Sequence, residues 1–203
     1  SILAISHRWE DPSQPDGLGV QLSAIKDFLS ERPRVKYLFF DYSSMPQGHS
    51  RTASETRAFK MMLPNINLLY MGCEVLVLID LSYVSRFWTQ FEAWLSMQTC
   101  TPDGLRPARP EERRCTVVPI KGANSSMAEG LRLMWSERTP QEAYDLLKEG
   151  DVTVTNQSDK EMQLPKILKL DKTVKDNQTR TQQVRAVAMA AIALKRSRNP
   201  HTD

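Results

Sequence analysis

The chain has 203 residues, 27 Lys and Arg against 24 Asp and Glu, and 40% hydrophobic against 25% charged residues. That is enough for one sizeable core, and the balance excludes the disordered and fibrous classes. A net charge of +3 is too small to serve by itself as a nucleic-acid footprint, and no run reaches the roughly 18 apolar residues a membrane span needs. Cys73, Cys100 and Cys115 are odd in number, widely spaced and lack a CxxC pair, which argues against a disulfide framework or a zinc ribbon and for a reducing, cytoplasmic setting. With Ser1 already inside a strand-like run and no signal peptide, the sequence reads as a domain of a longer parent chain.

In chain order, apolar runs recur at Ile2 to Ser6, Val35 to Tyr42, Glu74 to Ser82 and Cys115 to Ile120. They are continuous rather than strictly alternating, the mark of strands covered on both faces. Between the first two, Leu18, Leu22, Ile25, Phe28 and Leu29 fall at helical spacing. Thr52 and Glu55 then form a helix-start signal ahead of Phe59, Met62 and Leu63, before Pro64 interrupts. The segment SRFWTQFEAW, Ser85 to Trp94, opens a third helix. Strand and helix alternate, so parallel strands with right-handed crossovers are predicted: a three-layer α/β sandwich, flavodoxin-like, with strand order 2-1-3-4-5. The stretch Thr101 to Arg114, with three prolines, reads as a surface excursion.

After Ile120 the pattern turns mainly helical, and the expected division is an α/β domain over 1–125 and a helical extension over 126–203 packed on it. Thr139, Pro140 and Gly150 bracket a short helix. DVTVTNQSDKEMQ reads as a short strand or loop, LPKILKLDKTVKDNQ as an amphipathic helix. A last helix is predicted from Val184, Val187, Ala188, Ala191 and Ile192 on one face. The lysines at 166, 169, 172 and 175 with Arg180 and Arg185 read as a solvated face, so neither nucleic acid nor membrane is an expected partner.

The polar clusters that follow the strands carry the functional expectation. SHRWED follows the first strand, DYSSMPQG the second and SYVSRFWTQFE the third. In a parallel sheet all three converge on the carboxyl-terminal rim, where such sheets bind ligands. Trp88 and Glu92 stand four residues apart, the spacing at which helical side chains share a face. Ser6 and His7 suggest a hydrolase dyad, but adjacent strand residues point to opposite faces. Arg8 and Asp11 can pair with each other or cap the first helix. His7, His49 and His201 have no ligand spacing, so no metal site is expected.

These motifs resemble a known family. LAISHRWED is similar to the opening strand and loop of Toll/interleukin-1 receptor (TIR) domains, whose plant members read as a hydrophobic strand, Ser, any residue, Arg, Gly, Glu, Asp. SYVSRFWTQFEAWL resembles their third helix, with Ser, Trp, Cys, two residues and Glu. LAISHRW, FFDYSSMPQ and RFWTQFE also resemble the fungal heterokaryon-incompatibility (HET) branch, which shares Trp9 and Thr89 where plant TIR domains have Gly and Cys. The resemblance covers Ile2 to Ile120. It implies cleavage of the bond between nicotinamide and ribose in NAD, as a glycohydrolase or cyclase in cell-death or defence signalling. Glu92 matches the family's essential glutamate. Arg8 would hold the pyrophosphate and Trp9 would stack on a base, while Asp41 and Ser43 border the cleft and Trp88 forms its wall. NAD is then substrate rather than cofactor, and self-association through the TIR-like surface is expected. The rival readings are a self-association module without catalysis and a nucleotide sensor without turnover.

Overall fold

The structure, a computed structural model, describes residues 1–48, 51–149 and 157–177. In chain order its elements are β1 (Ile2–His7), α1 (Val20–Ser30), β2 (Tyr37–Phe39), α2 (Asp41–Ser44), α3 (Ala53–Met62), α4 (Asn67–Gly72), β3 (Glu74–Ile79), α5 (Phe87–Ser96), β4 (Gln98–Thr101), β5 (Gly104–Pro107), β6 (Cys115–Pro119), α6 (Ser125–Trp135), α7 (Pro140–Lys148) and α8 (Gln157–Gln163). A further helix, α9, spans 166–177. No helix among the described residues is long and apolar enough to cross a membrane.

Four strands make one parallel sheet in the order β2-β1-β3-β6. Its registers run from Ile2 opposite Tyr37, from Leu3 opposite Glu74 and from Val75 opposite Cys115. The α/β class and the parallel sheet agree with the sequence reading; the order 2-1-3-4-5 does not. Between the third and fourth parallel strands the chain makes a separate antiparallel hairpin, β4-β5, which begins before the stretch read as a surface excursion and takes up its first half, and no fifth strand follows β6 among the described residues. Of DVTVTNQSDKEMQ, read as a short strand or loop, the described part Gln157–Gln163 is instead helix α8; its first six residues and the helix over Val184 to Ile192 lie outside the described residues.

Local signals explain several boundaries. In α3, Thr52 accepts from the Glu55 amide while the Glu55 side chain accepts from the Thr52 amide; α7 repeats this box with Thr139 and Glu142. Strand β2 is shorter than its apolar run because Asp41 opens α2, and its edge position leaves Tyr37 exposed. Pro64 ends α3, yet a 3-10 turn over Leu63–Asn65 carries the chain straight into α4. There the missing proline N–H costs nothing, because first-turn amides have no helical partner.

Alternation along β1 and β3 splits the core in two. Leu3, Ile5, Leu76 and Leu78 face α1 and pack with Ile25 and Phe28. On the other face Ala4, Val75, Val77 and Ile79 meet Tyr70 of α4 and Phe87, Phe91, Trp94 and Leu95 of α5. That larger cluster also takes in Leu131 and Trp135 of α6, Leu147 of α7, and Ile167 and Val174 of α9. Gly104 sits at φ +111°, and a side chain there would run into Asp171 and Lys175; the Leu105 amide donates to Asp171 Oδ1 at 2.8 Å.

Candidate functional site

All four strands of the sheet are parallel, so the turns after β1, β2 and β3 leave from one edge. The end of β1 distributes its polar side chains by alternation: Ser6 turns toward α5, and His7 turns toward Phe40, on which its ring stacks at 4.1 Å. Helix α5 is fastened to the loop after β3 before it reaches the rim. The Thr89 hydroxyl donates to the Tyr83 carbonyl, the Tyr83 hydroxyl donates to the Thr89 carbonyl at 2.9 Å, and the Gln90 side-chain Nε2 donates to the Val84 carbonyl at 2.6 Å. One turn further, Glu92 arrives beneath the sheet edge.

There Glu92 Oε2 is hydrogen-bonded to Ser6 Oγ at 2.6 Å, and Ser6 Oγ to Tyr83 Oη at 2.6 Å. The Tyr70 hydroxyl, which donates to the Ile5 carbonyl at 3.1 Å, also reaches the Glu92 carboxyl. Burial pushes that carboxyl well above the usual carboxylate range; the contacts with Ser6 and Tyr70 act against that rise, and the negative charge of Asp41 adds to it. Burial beside Glu92 likewise raises both tyrosine hydroxyls well above their ordinary value.

Asp41 forms a second cluster above this one. Its carboxylate accepts from His7 Nε2 at 2.9 Å, from Trp9 Nε1 at 2.9 and 3.0 Å and from the Tyr42 amide at 2.7 Å. Trp9 meets the Tyr42 ring edge-on at 5.2 Å. Asp41 is therefore a brace between the first and second turns, holding three donors at once.

A third cluster lies toward β6. Arg8 donates from Nε to Asp80 Oδ2 at 2.8 Å, its second nitrogen at 2.8 Å from the same oxygen. Arg8 is thus paired across strands with Asp80 and not with Asp11, which accepts from Ser13. Next to Arg8, Lys121 pairs with Glu10 and lies 3.8 Å from Asp16.

Glu92, Asp41, Arg8 and Trp9 thus share one edge of the sheet. Ser43 is exposed and turns its hydroxyl back to the Phe40 carbonyl at 3.2 Å, away from the cluster. Trp88 is half-buried against the larger core, with its ring edge-on to Phe87 at 5.9 Å. Ser6, Tyr70, Tyr83, Asp80 and Lys121 were not anticipated as site residues. The available signal was a serine ending an otherwise apolar buried strand, and a tyrosine directly before the α5 motif.

Among the described residues no group of His, Cys, Asp and Glu is arranged to hold a metal ion. What the site offers is one buried carboxyl surrounded by hydroxyls, able to donate a proton when neutral or to face a cationic centre when ionised. In comparisons with known proteins, no family model, curated protein or solved structure matches the chain.

Proposed function

We propose that this domain cleaves the N-glycosidic bond of NAD, with Glu92 as the acting carboxylate. The observation that carries the reading is the delivery of Glu92 by α5 to the carboxyl-terminal edge of a parallel sheet, among the hydroxyls of Ser6, Tyr70 and Tyr83. Nicotinamide in NAD is already cationic and leaves with the bonding electron pair without needing a general acid. The ribose C1′ then becomes oxocarbenium-like, and an ionised carboxylate beside it lowers the barrier. Water adds at C1′ and gives up a proton in a glycohydrolase; a ring nitrogen of the same nucleotide adds in a cyclase. Arg8 suits the pyrophosphate by its guanidinium geometry, and it engages substrate by exchanging its Asp80 partner. Trp9 supplies a ring surface already held through its indole nitrogen by Asp41.

The test is nicotinamide release from NAD by the domain at high concentration or tethered into clusters, followed by chromatography. Clustering is included because a TIR-like enzyme acts when its copies are brought together. Glu92→Gln is expected to cut turnover about 10²-fold, the loss of one preorganised electrostatic group.

One observation favours a second reading, a self-associating module of the same fold without catalysis. Arg8, Trp9, Asp41 and Glu92 all spend their polar groups on partners inside the domain, as a purely structural network does. If the clustered wild-type domain releases no nicotinamide, or Glu92→Gln keeps full activity, this reading replaces the first.

A further inference from the structure

Glu92 stands at one end of a line of oxygen atoms. Its Oε2 is 2.6 Å from Ser6 Oγ, Ser6 Oγ is 2.6 Å from Tyr83 Oη, and Tyr83 Oη is 2.9 Å from the Thr89 carbonyl oxygen. Each separation is that of a hydrogen bond, and each needs its own proton.

The far end decides the direction. A carbonyl oxygen only accepts, so the bond to Thr89 uses the single proton of Tyr83. Tyr83 then accepts from Ser6, which uses the single proton of Ser6. Nothing remains on Ser6 for Glu92, and the first contact is made only when the carboxyl is the donor. An ionised carboxylate accepts and cannot donate, so with Glu92 ionised three contacts share two protons and one pair of oxygens faces off bare. Ser6 and Tyr83 are 0% exposed, Thr89 4% and Glu92 8%, so bulk water does not make good the shortfall.

We propose that Glu92 is a neutral carboxylic acid in the resting protein, its proton heading a one-way relay through Ser6 and Tyr83 to the Thr89 carbonyl, and that ionising Glu92 requires this relay to break. Ser6 and Tyr83 are then positioning residues that set when Glu92 carries charge. Of the groups facing Glu92, the acidic ones favour its neutral form and Tyr70 opposes it. Asp41 on α2, itself bound to His7, presents a negative charge, and Asp80 presents another near Tyr83. Tyr70 on α4 gives its one proton to the Ile5 carbonyl, and its contact with Glu92 acts against the rise. Burial of the carboxyl raises it independently of the proton count.

The inference concerns the regulation of the site proposed above, and it holds or fails separately from the nucleotide reading. Applied to that reading, it means that the cationic end of the substrate expels the Glu92 proton on binding, so that binding releases one proton and switches the carboxylate on.

The experiment is infrared spectroscopy of the protonated-carboxyl C=O stretch, assigned to Glu92 by its disappearance in Glu92→Gln and titrated with pH. The wild-type band is expected to persist at neutral pH. Tyr83→Phe removes the demand on the Ser6 proton, lets Ser6 donate to the carboxylate, and lowers the titration midpoint by about one pH unit, the size of one hydrogen bond regained. Ser6→Ala removes the acceptor of the Glu92 proton, so the neutral carboxyl loses its partner and the midpoint falls as well. If Ser6 were instead a donor to an ionised carboxylate, the same substitution would raise the midpoint, and a merely structural role would move only the melting temperature. Absence of the band at neutral pH in the wild type overturns the proposal, and so does a Tyr83→Phe midpoint that stays or rises. If the variants do not fold, the wild-type band alone decides. A wild type that keeps the band but releases no nicotinamide from NAD removes the nucleotide reading only.

Discussion

At the amino-terminal edge of the sheet, Arg114 gives its guanidinium to four main-chain carbonyls, those of Tyr70, Cys73, Leu95 and Gln98, at 2.6 to 3.1 Å. Tyr70, Cys73 and Leu95 are at the ends of α4 and α5, whose last carbonyls have no partner within the helix, and Gln98 opens β4. At the carboxyl-terminal edge of the same sheet, side chains meet side chains: Arg8 with Asp80, Asp41 with His7 and Trp9, Glu92 with Ser6. The carbonyls that hold this cation cannot follow another partner without unwinding two helices, and the guanidinium can leave only by giving up all four at once. A pair of side chains exchanges partners by rotating a few single bonds. One end of the sheet is therefore built to stay, and the other can respond to a ligand, although both bury polar groups.

The comparison is broken most directly at the fixed end. Arg114→Met is expected to destabilise the domain by about 3 to 5 kcal/mol, because four main-chain acceptors, at two helix ends and the start of β4, lose a charged donor. A denaturant midpoint measured at unchanged m-value reads this, and a loss below about 1 kcal/mol would remove the distinction between the two ends.

Trp88→Ala tests the middle of α5. The ring is packed against the larger core but half-buried, so a loss of about 2 to 3 kcal/mol is expected, below that of a fully buried tryptophan. A neutral result would make Trp88 a free cleft-wall ring rather than a packing residue.

The smallest effect, and the one with an informative sign, belongs to Glu92→Gln at the exchangeable end. The folded protein holds the Glu92 proton more tightly than the unfolded chain does. The stability this group contributes is therefore present in acid and declines as pH rises from its ordinary value of 4.5 toward its raised folded value. The variant lacks that decline, so wild-type melting temperature falls relative to Glu92→Gln between acid and neutral pH. Parallel melting curves would count against a buried, proton-holding Glu92.

Much of this was legible in residue order. Continuous apolar runs marked the parallel strands because β1 and β3 are buried on both faces, and Thr52 with Glu55 and Thr139 with Glu142 marked helix starts through bonds only three residues long. Glu92 was reachable from its spacing to Trp88 and its place after a strand. The partners of Glu92 were not, since Ser6 lies 86 residues away in the chain and Tyr70 belongs to a helix hidden behind Pro64. The β4-β5 hairpin was missed for a related reason. Its four-residue strands are too short to show a period, and the Pro102-Asp103 turn between them looks like any polar loop.

Gly104 carries a consequence for where the molecule can be cut. Its missing side chain lets the hairpin lie directly on α9, where Asp171 receives the Leu105 amide, while Leu164, Ile167 and Val174 enter the larger core from the same stretch. A fragment ending at residue 163 would bare that amide and strip three apolar side chains from a core that also holds Phe91 and Trp94 of α5. The shortest fragment that keeps the Glu92 edge intact therefore extends past Val174, well beyond the last strand of the sheet, and any side chain added at position 104 would have to push Asp171 off the Leu105 amide from a strained backbone.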